Sequence, residues 1–295
     1  MELMDGTPAH KQWCNMSMEQ KVAFTEQVAG YQAELSTFGK MPQHEFRGIG
    51  TLDAQTDVPG LLVSPGFFMG EHLHYDIPRG PFRSSHDWLC TELNIILQHQ
   101  AAILKTSDDE DDIEDAENAL SAAQKLLALV PSVFPSDLEE PEATALYHHD
   151  LHLNNILVDD HGKITAVLDW ECVSAMPLWM TANLPKFLEG PEREEEPNPD
   201  GYLDAKAGQE PPLGGREKNE LYYIHQMEYE ATQLRKVYIA RLKELWPGWP
   251  MEESHAEIDM FHAIEQCDGI WAKRVGRWAD RMLNGEKIRF DIDNP

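Results

Sequence analysis

The stretch His148-His149-Asp150-Leu151-His152-Leu153-Asn154-Asn155-Ile156-Leu157-Val158, closed by Leu168-Asp169-Trp170-Glu171, constrains the fold more than any other part of the chain. Ile156-Leu157-Val158 is a short apolar run of strand formers, Asp159-Asp160-His161-Gly162-Lys163 is polar and carries the glycine a tight turn needs, and Ile164–Leu168 is a return strand. The reading is a β-hairpin. If it is symmetric about Gly162, Asn155 and Asp169 stand opposite each other, and directly opposed residues of an antiparallel pair have Cβ atoms roughly 4.5–5.5 Å apart. Two oxygen-bearing side chains at that spacing suit one small hard cation. Mg²⁺ takes one or two protein oxygens together with waters and substrate phosphates. The pairing depends on the turn, because a slip of one residue would spoil it.

Asp150 precedes Asn155 by five residues and is a candidate base. Asp base, Asn ligand, strand, turn, strand, Asp ligand is the order of parts in the catalytic half of a phosphoryl-transfer site. Two other readings stand beside it. His148 and His152 are four apart, as in a helical zinc motif. However, Asn154-Asn155 is a poor helix interior, and His149 stands where a zinc hydrolase would carry its Glu base. The other alternative is a hairpin with polar ends and no chemistry.

The pattern His-x-Asp-Leu-x-x-x-Asn-Ile-Leu-Val-Asp, a Gly-containing turn, then Ile-x-x-Val-x-Asp-Trp-Glu resembles the aminoglycoside phosphotransferase family, most closely its fungal branch. That family shares the protein-kinase-like fold. The resemblance implies that Asp150 is the catalytic base, that Asn155 and Asp169 hold Mg²⁺, and that His148 braces the loop. It also implies ATP as co-substrate. His149 stands where the family usually has a small residue, often Gly. Met1-Glu2-Leu3-Met4-Asp5-Gly6-Thr7-Pro8 looks like the linker between the two lobes, so the backbone of Glu2, Leu3 and Met4 is expected to face the adenine.

Hydrophobic content of 42% in 295 residues can fill the core of one large domain or two modest ones. Cys14, Cys90, Cys172 and Cys267 show no paired spacing that would indicate a disulfide framework or a cysteine metal site. The start of the chain lacks the basic and apolar regions of a signal peptide, and no apolar run approaches the length of a membrane span. A cytoplasmic location is the expectation. The net charge of −28 argues against nucleic acid and anionic membranes as partners and favours a cationic small-molecule hydroxyl acceptor. Much of that charge is local, in Asp108–Asp112 and Glu192–Glu196, and such runs are read as solvated loops or helix starts.

Helices are expected around the hairpin, giving an α+β chain that is mainly α. Ser17-Met18-Glu19-Gln20 is a capping-box pattern, Phe24, Val28, Tyr31, Leu35 and Phe38 follow at helical spacing, and Gly39 can end that helix. Phe46–Leu52 and Leu61–Phe68 read as a pair of strands. Ser85–Lys105 and Asp108–Val130 read as helices, the second with an acidic first turn that suits the helix dipole. Met176–Gly215 reads as a surface loop. Two long helices are expected at about Glu217–Trp246 and Glu253–Asn284.

A kinase-like enzyme also needs a small β-rich lobe with a phosphate-covering loop and a Lys paired to a helix Glu. Upstream of Asp150 the only glycine cluster, Arg47-Gly48-Ile49-Gly50-Thr51, lacks a third Gly and no Lys-bearing strand follows it. The expectation is a kinase-like large lobe over residues 17–290, a linker-like segment over 1–16, and an absent small lobe. Two functions follow: an ATP- and Mg²⁺-dependent phosphotransferase of the aminoglycoside phosphotransferase type, or a kinase-like binding module without turnover. In either case a protein partner is a candidate to cover the exposed lobe interface. A zinc hydrolase is the third reading.

Overall fold

The computed structural model describes residues 4–38, 46–53, 55–56, 58–202, 219–249 and 254–290. In chain order the first elements are β1 (Thr7–Pro8), α1 (Ala9–Gln12), α2 (Met18–Phe38), β2 (Gly50–Thr51), α3 (Pro65–Phe68), α4 (Ser85–Thr106) and α5 (Glu110–Val133). Four strands follow, β3 (Thr144–Tyr147), β4 (Ile156–Val158), β5 (Ile164–Val167) and β6 (Ser174–Pro177), and then α6 (Glu220–Leu245), α7 (His255–Gln266) and α8 (Ala272–Leu283). The protein is mainly helical with two small antiparallel sheets. The chain divides into two compact units. One comprises Met1–Glu34, Asp150–Trp170 and Leu184–Trp249, and the other Leu35–His149, Glu171–Asn183 and Pro250–Pro295.

The first unit carries the hairpin. β5 and β1 flank β4 on either side, so the hairpin strand is central in a three-stranded sheet. All three β4 residues are buried, so both faces of this short strand are covered. β1 pairs Thr7 with Val158 and Pro8 with Leu157. The segment expected as linker therefore has structure of its own, with α1 and a 3₁₀ turn, Trp13–Asn15, after β1. The capping box at Ser17 forms as read: the Ser17 N–H donates to Gln20 Oε1 (2.9 Å) and the Gln20 N–H to Ser17 Oγ (3.2 Å). Gly39 lies outside the described residues. Lys21 of α2 pairs with Glu230 of α6 at 2.5 Å. Trp13, Phe24 and Phe187 form an edge-to-face trio with ring centroids 5.3–5.6 Å apart.

The second unit is built on α4, α5, α7 and α8, with the sheet β2-β6-β3. Its helix starts follow the sequence chemistry. Ser84 Oγ accepts the Asp87 N–H at the head of α4, and Asp109 Oδ1 accepts the N–H groups of Asp111 and Asp112 at the head of α5. Leu89, Leu93, Leu126, Val130, Met260 and Val275 are at or near zero exposure in one core. Trp88, Phe134, Trp179 and Phe261 pack around one another within it.

Four expectations need correcting. Leu61–Phe68 is not a strand, because Pro65 sits in the first turn of α3 and starts a helix there. Within Phe46–Leu52 only Gly50 and Thr51 form a strand, and that strand pairs with β6. The last long helix is two, α7 and α8, broken after Gln266 where Asp268-Gly269 interrupts the helical run. Residues 176–188 are not a surface loop: Met176, Trp179, Met180 and Leu188 are buried, and Ser174–Pro177 is a strand of four buried residues.

Candidate active site

β3 ends at Tyr147, and residues 148–155 form turns rather than a helix. The helix a His148/His152 zinc motif would need is absent there. His148 is 6% exposed. His149 meets the Tyr147 ring edge-on at 5.1 Å, and burial, followed by the neighbouring His148, pushes its imidazole down to about 4. Its backbone is not left-handed, so a β-carbon is tolerated where the family usually has a small residue.

Asp150 and Asn155 close the turn. Asn155 Nδ2 donates to the Asp150 carbonyl oxygen (3.0 Å) and to Asp150 Oδ2 (3.1 Å). With Nδ2 turned to Asp150, Oδ1 is the atom of Asn155 left to face a cation. His152 Nε2 lies 3.1 Å from Asp150 Oδ2, while its Nδ1 accepts the Asn154 N–H (3.1 Å). Accepting there puts the ring proton on Nε2, facing the carboxylate. Lys186 brings its Nζ to 3.5 Å from Asp150 Oδ1.

The hairpin register differs from symmetry about Gly162. Asp159 Oδ1 accepts the N–H groups of His161 and Lys163, and the Asp159 N–H donates to the Lys163 carbonyl. The loop therefore closes at Lys163, and these donors, Lys163 first, hold the Asp159 carboxyl below its ordinary range. Val158 pairs with Ile164, but Leu157 pairs with Ala166, with a bulge between. The bulged residue is Thr165, whose hydroxyl donates to the Asp5 carbonyl at 2.7 Å. Beyond the bulge the Leu168 N–H donates to the Asn155 carbonyl at 2.7 Å. Leu168, not Asp169, is thus the residue opposite Asn155.

Asp169 instead follows the end of the strand in the left-handed region, with φ of 66°. Asp is among the few non-glycine residues that accept that conformation. The next residue, Trp170, donates from Nε1 back to the Val167 carbonyl at 2.8 Å. The alternation of a regular strand ends at Asp169, so Asp169 follows the hairpin without standing opposite Asn155. The Asp169 side chain is exposed. Among the described residues no group of three or more His, Cys, Asp or Glu could hold a metal by itself. A donor set of one amide oxygen and one carboxylate fits Mg²⁺, which takes few protein oxygens and completes its shell with water and phosphate.

Met4 is exposed, and Glu2 and Leu3 lie outside the described residues. Two side chains on Asp150 were not identified from the sequence as parts of this site. His152, two residues after the base, suggests from the sequence only a zinc ligand. Lys186 lies in a stretch read as a loop without a distinctive residue, and no local signal points to it.

A family model described as the phosphotransferase enzyme family (APH) matches residues 1–180. The chain is 54% identical over 43 residues to "Clavilactone A biosynthesis cluster protein Y" of Ampulloclitocybe clavipes, a match spanning 15% of this chain and 11% of that protein. No solved structure matches the chain. No helix among the described residues is long and apolar enough to cross a membrane. With the family match covering more than half of its length, through the Asp150 loop and the hairpin, the chain belongs to the phosphotransferase enzyme family, whose known fold is the protein-kinase-like fold.

Proposed function

We propose that the chain is an ATP- and Mg²⁺-dependent phosphotransferase acting on the hydroxyl of a small molecule. The observation that carries the reading is the double hydrogen bond from Asn155 Nδ2 to Asp150, which fixes the carboxylate and turns the amide oxygen outward. In this reading Asp150 accepts the proton of the acceptor hydroxyl. Asn155 and Asp169 would hold Mg²⁺, which when bound screens the charge of the phosphates. His148, buried at the head of the loop, is a positioning residue. Met4, with Glu2 and Leu3, belongs to a segment proposed to face the adenine. Residues 17–290 are proposed as a kinase-like large lobe and residues 1–16 as the segment leading into it.

The acceptor is proposed to be a small molecule, and the net charge of −28 favours a cationic one. The matched relative is named for a biosynthesis cluster, which accords with a small-molecule acceptor. A cytoplasmic location remains part of the proposal. Asp150→Ala tests it: loss of a positioned base typically costs about 10²–10⁴ in rate. ATP turnover by the full chain with Mg²⁺ is the measurement. An unchanged rate in Asp150→Ala removes Asp150 from the mechanism, and no Mg²⁺-dependent turnover or ATP binding in the unsubstituted chain favours a binding module instead.

A further inference from the structure

Lys186 opens a 3₁₀ turn, Lys186–Leu188, that follows the buried Pro185. The residue after it, Phe187, sits in the ring trio with Trp13 and Phe24, and Leu188 has zero exposure. The backbone at Lys186 is therefore held by packing on one side, while its side chain is 59% exposed and extends to Asp150 Oδ1 at 3.5 Å. An ion pair this exposed contributes about 0–1 kcal/mol to stability. Anchoring the turn so that a lysine meets the proposed base is thus poorly explained by stability alone.

The geometry points to a role in the transfer itself: we infer that Lys186 contacts the phosphoryl group in flight at Asp150 and neutralises its charge. The inference rests on the phosphotransferase reading. The acceptor oxygen must lie about 2.6–3.2 Å from Asp150 to give up its proton. The phosphorus in turn lies about 3–3.5 Å from that oxygen before reaction. The phosphoryl oxygens then fall within the sweep of a flexible lysine side chain that already rests on Asp150. In the step, the acceptor oxygen forms a bond to the γ-phosphorus, the bond from that phosphorus to the β,γ-bridging oxygen breaks, ADP leaves with its electron pair, and the acceptor proton passes to Asp150. Charge spreads over the equatorial oxygens of the phosphoryl group, where an ammonium stabilises it. The Lys186 contact to the Asp150 carboxylate, at 3.5 Å, is longer than those of Asn155 and His152, both at 3.1 Å. It is the contact that yields when an acceptor hydroxyl takes its place on the carboxylate.

The test uses the full chain, Mg²⁺ and ATP, with water as acceptor. Turnover and thermal unfolding are compared for the unsubstituted protein, Asp150→Ala, Lys186→Met and Lys186→Arg. Removing one transition-state donor typically lowers kcat about 10²–10³-fold, and the expectation for Lys186→Met is at the lower end, with KM for ATP and the unfolding temperature nearly unchanged. Lys186→Arg is expected to restore most of kcat. Calorimetric binding of aluminium fluoride with Mg²⁺ and ADP should weaken in Lys186→Met in parallel. If Asp150→Ala abolishes turnover while Lys186→Met matches the unsubstituted chain, Lys186 has no such role although the phosphotransferase reading survives. A lower unfolding temperature in Lys186→Met with no rescue by Arg assigns it a structural role and overturns the inference. If the unsubstituted chain shows no Mg²⁺-dependent turnover, or Asp150→Ala leaves it intact, the phosphotransferase reading fails and takes the inference with it.

Discussion

Asn155 holds Asp150 at two points with a single nitrogen, 3.0 Å from the carbonyl oxygen and 3.1 Å from Oδ2. One side chain thereby fixes both the backbone of the turn and the rotamer of the proposed base. Its remaining oxygen is the proposed Mg²⁺ donor, so the structural and chemical roles of Asn155 rest on opposite ends of one amide.

That division makes Asn155→Asp informative. The substitution keeps an oxygen for a cation but replaces the donor with a carboxylate facing Asp150. Hydrogen bonds to charged groups contribute about 1.5–3 kcal/mol. Asn155→Ala is expected to lose stability of that order, and Asn155→Asp more, because two carboxylates then face each other. Urea unfolding without Mg²⁺ checks the order. Added Mg²⁺ should narrow the gap for Asn155→Asp and leave Asn155→Ala unchanged.

Glu92 of α4 accepts the Trp88 Nε1–H at 3.0 Å, and burial raises its carboxyl to about 7 from 4.5. Trp88 pulls it down, and Glu265 adds to the rise. A group with a raised folded value contributes stability that is fully present below the unfolded value of 4.5 and is lost as pH rises through about 7. Glu92→Gln cannot lose a proton and still accepts from Trp88. Between about pH 5.5 and about pH 8 it should gain about 2 kcal/mol relative to the unsubstituted chain. His149, low at about 4, works the other way: its contribution is present above 6.5 and lost as pH falls towards 4. It is common to both proteins and cancels in the comparison. Urea unfolding at the two pH values is the measurement, and a gap that does not grow with pH would assign Glu92 an ordinary carboxyl.

Lys21 and Glu230 are 7% and 21% exposed at their side chains, and Glu230 also accepts from Gln226 at 3.1 Å. Removing one member of a buried pair typically costs about 3–5 kcal/mol, whereas an apolar replacement of both is often near neutral. Lys21→Met alone should fall near the lower end of that range, because Glu230 retains some exposure and Gln226. The double variant Lys21→Met/Glu230→Leu should be more stable than Lys21→Met. Equilibrium unfolding of the four proteins of the cycle gives the coupling directly.

Where a residue acts through its own neighbours, the sequence was legible. Ser17 and Gln20 form the box their spacing announces, and the acidic start of α5 is capped by Asp109. The hairpin lies where Ile156, Gly162 and Ile164 put it. Its register was not legible, because Gly162 marks the turn whereas Asp159 closes it, and the bulge at Thr165 depends on Asp5, 160 positions away. The break between α7 and α8 was masked by helix formers on both sides of Asp268-Gly269. Lys186 could not be found from the sequence, since its place beside Asp150 follows from the packing of Phe187.

The pairing of β1 with β4 has a consequence for assembly. Thr7–Pro8 covers an edge of the hairpin strand from a point far back in the chain, so the sheet closes a loop of about 150 residues, a cost that grows only with the logarithm of length. Until that closure the backbone groups along the outer edge of β4 are unpaired and can recruit another strand. The strand that follows the proposed base is therefore completed by a segment distant in sequence, and any opening of that contact leaves the sheet of the site with an edge another strand can take.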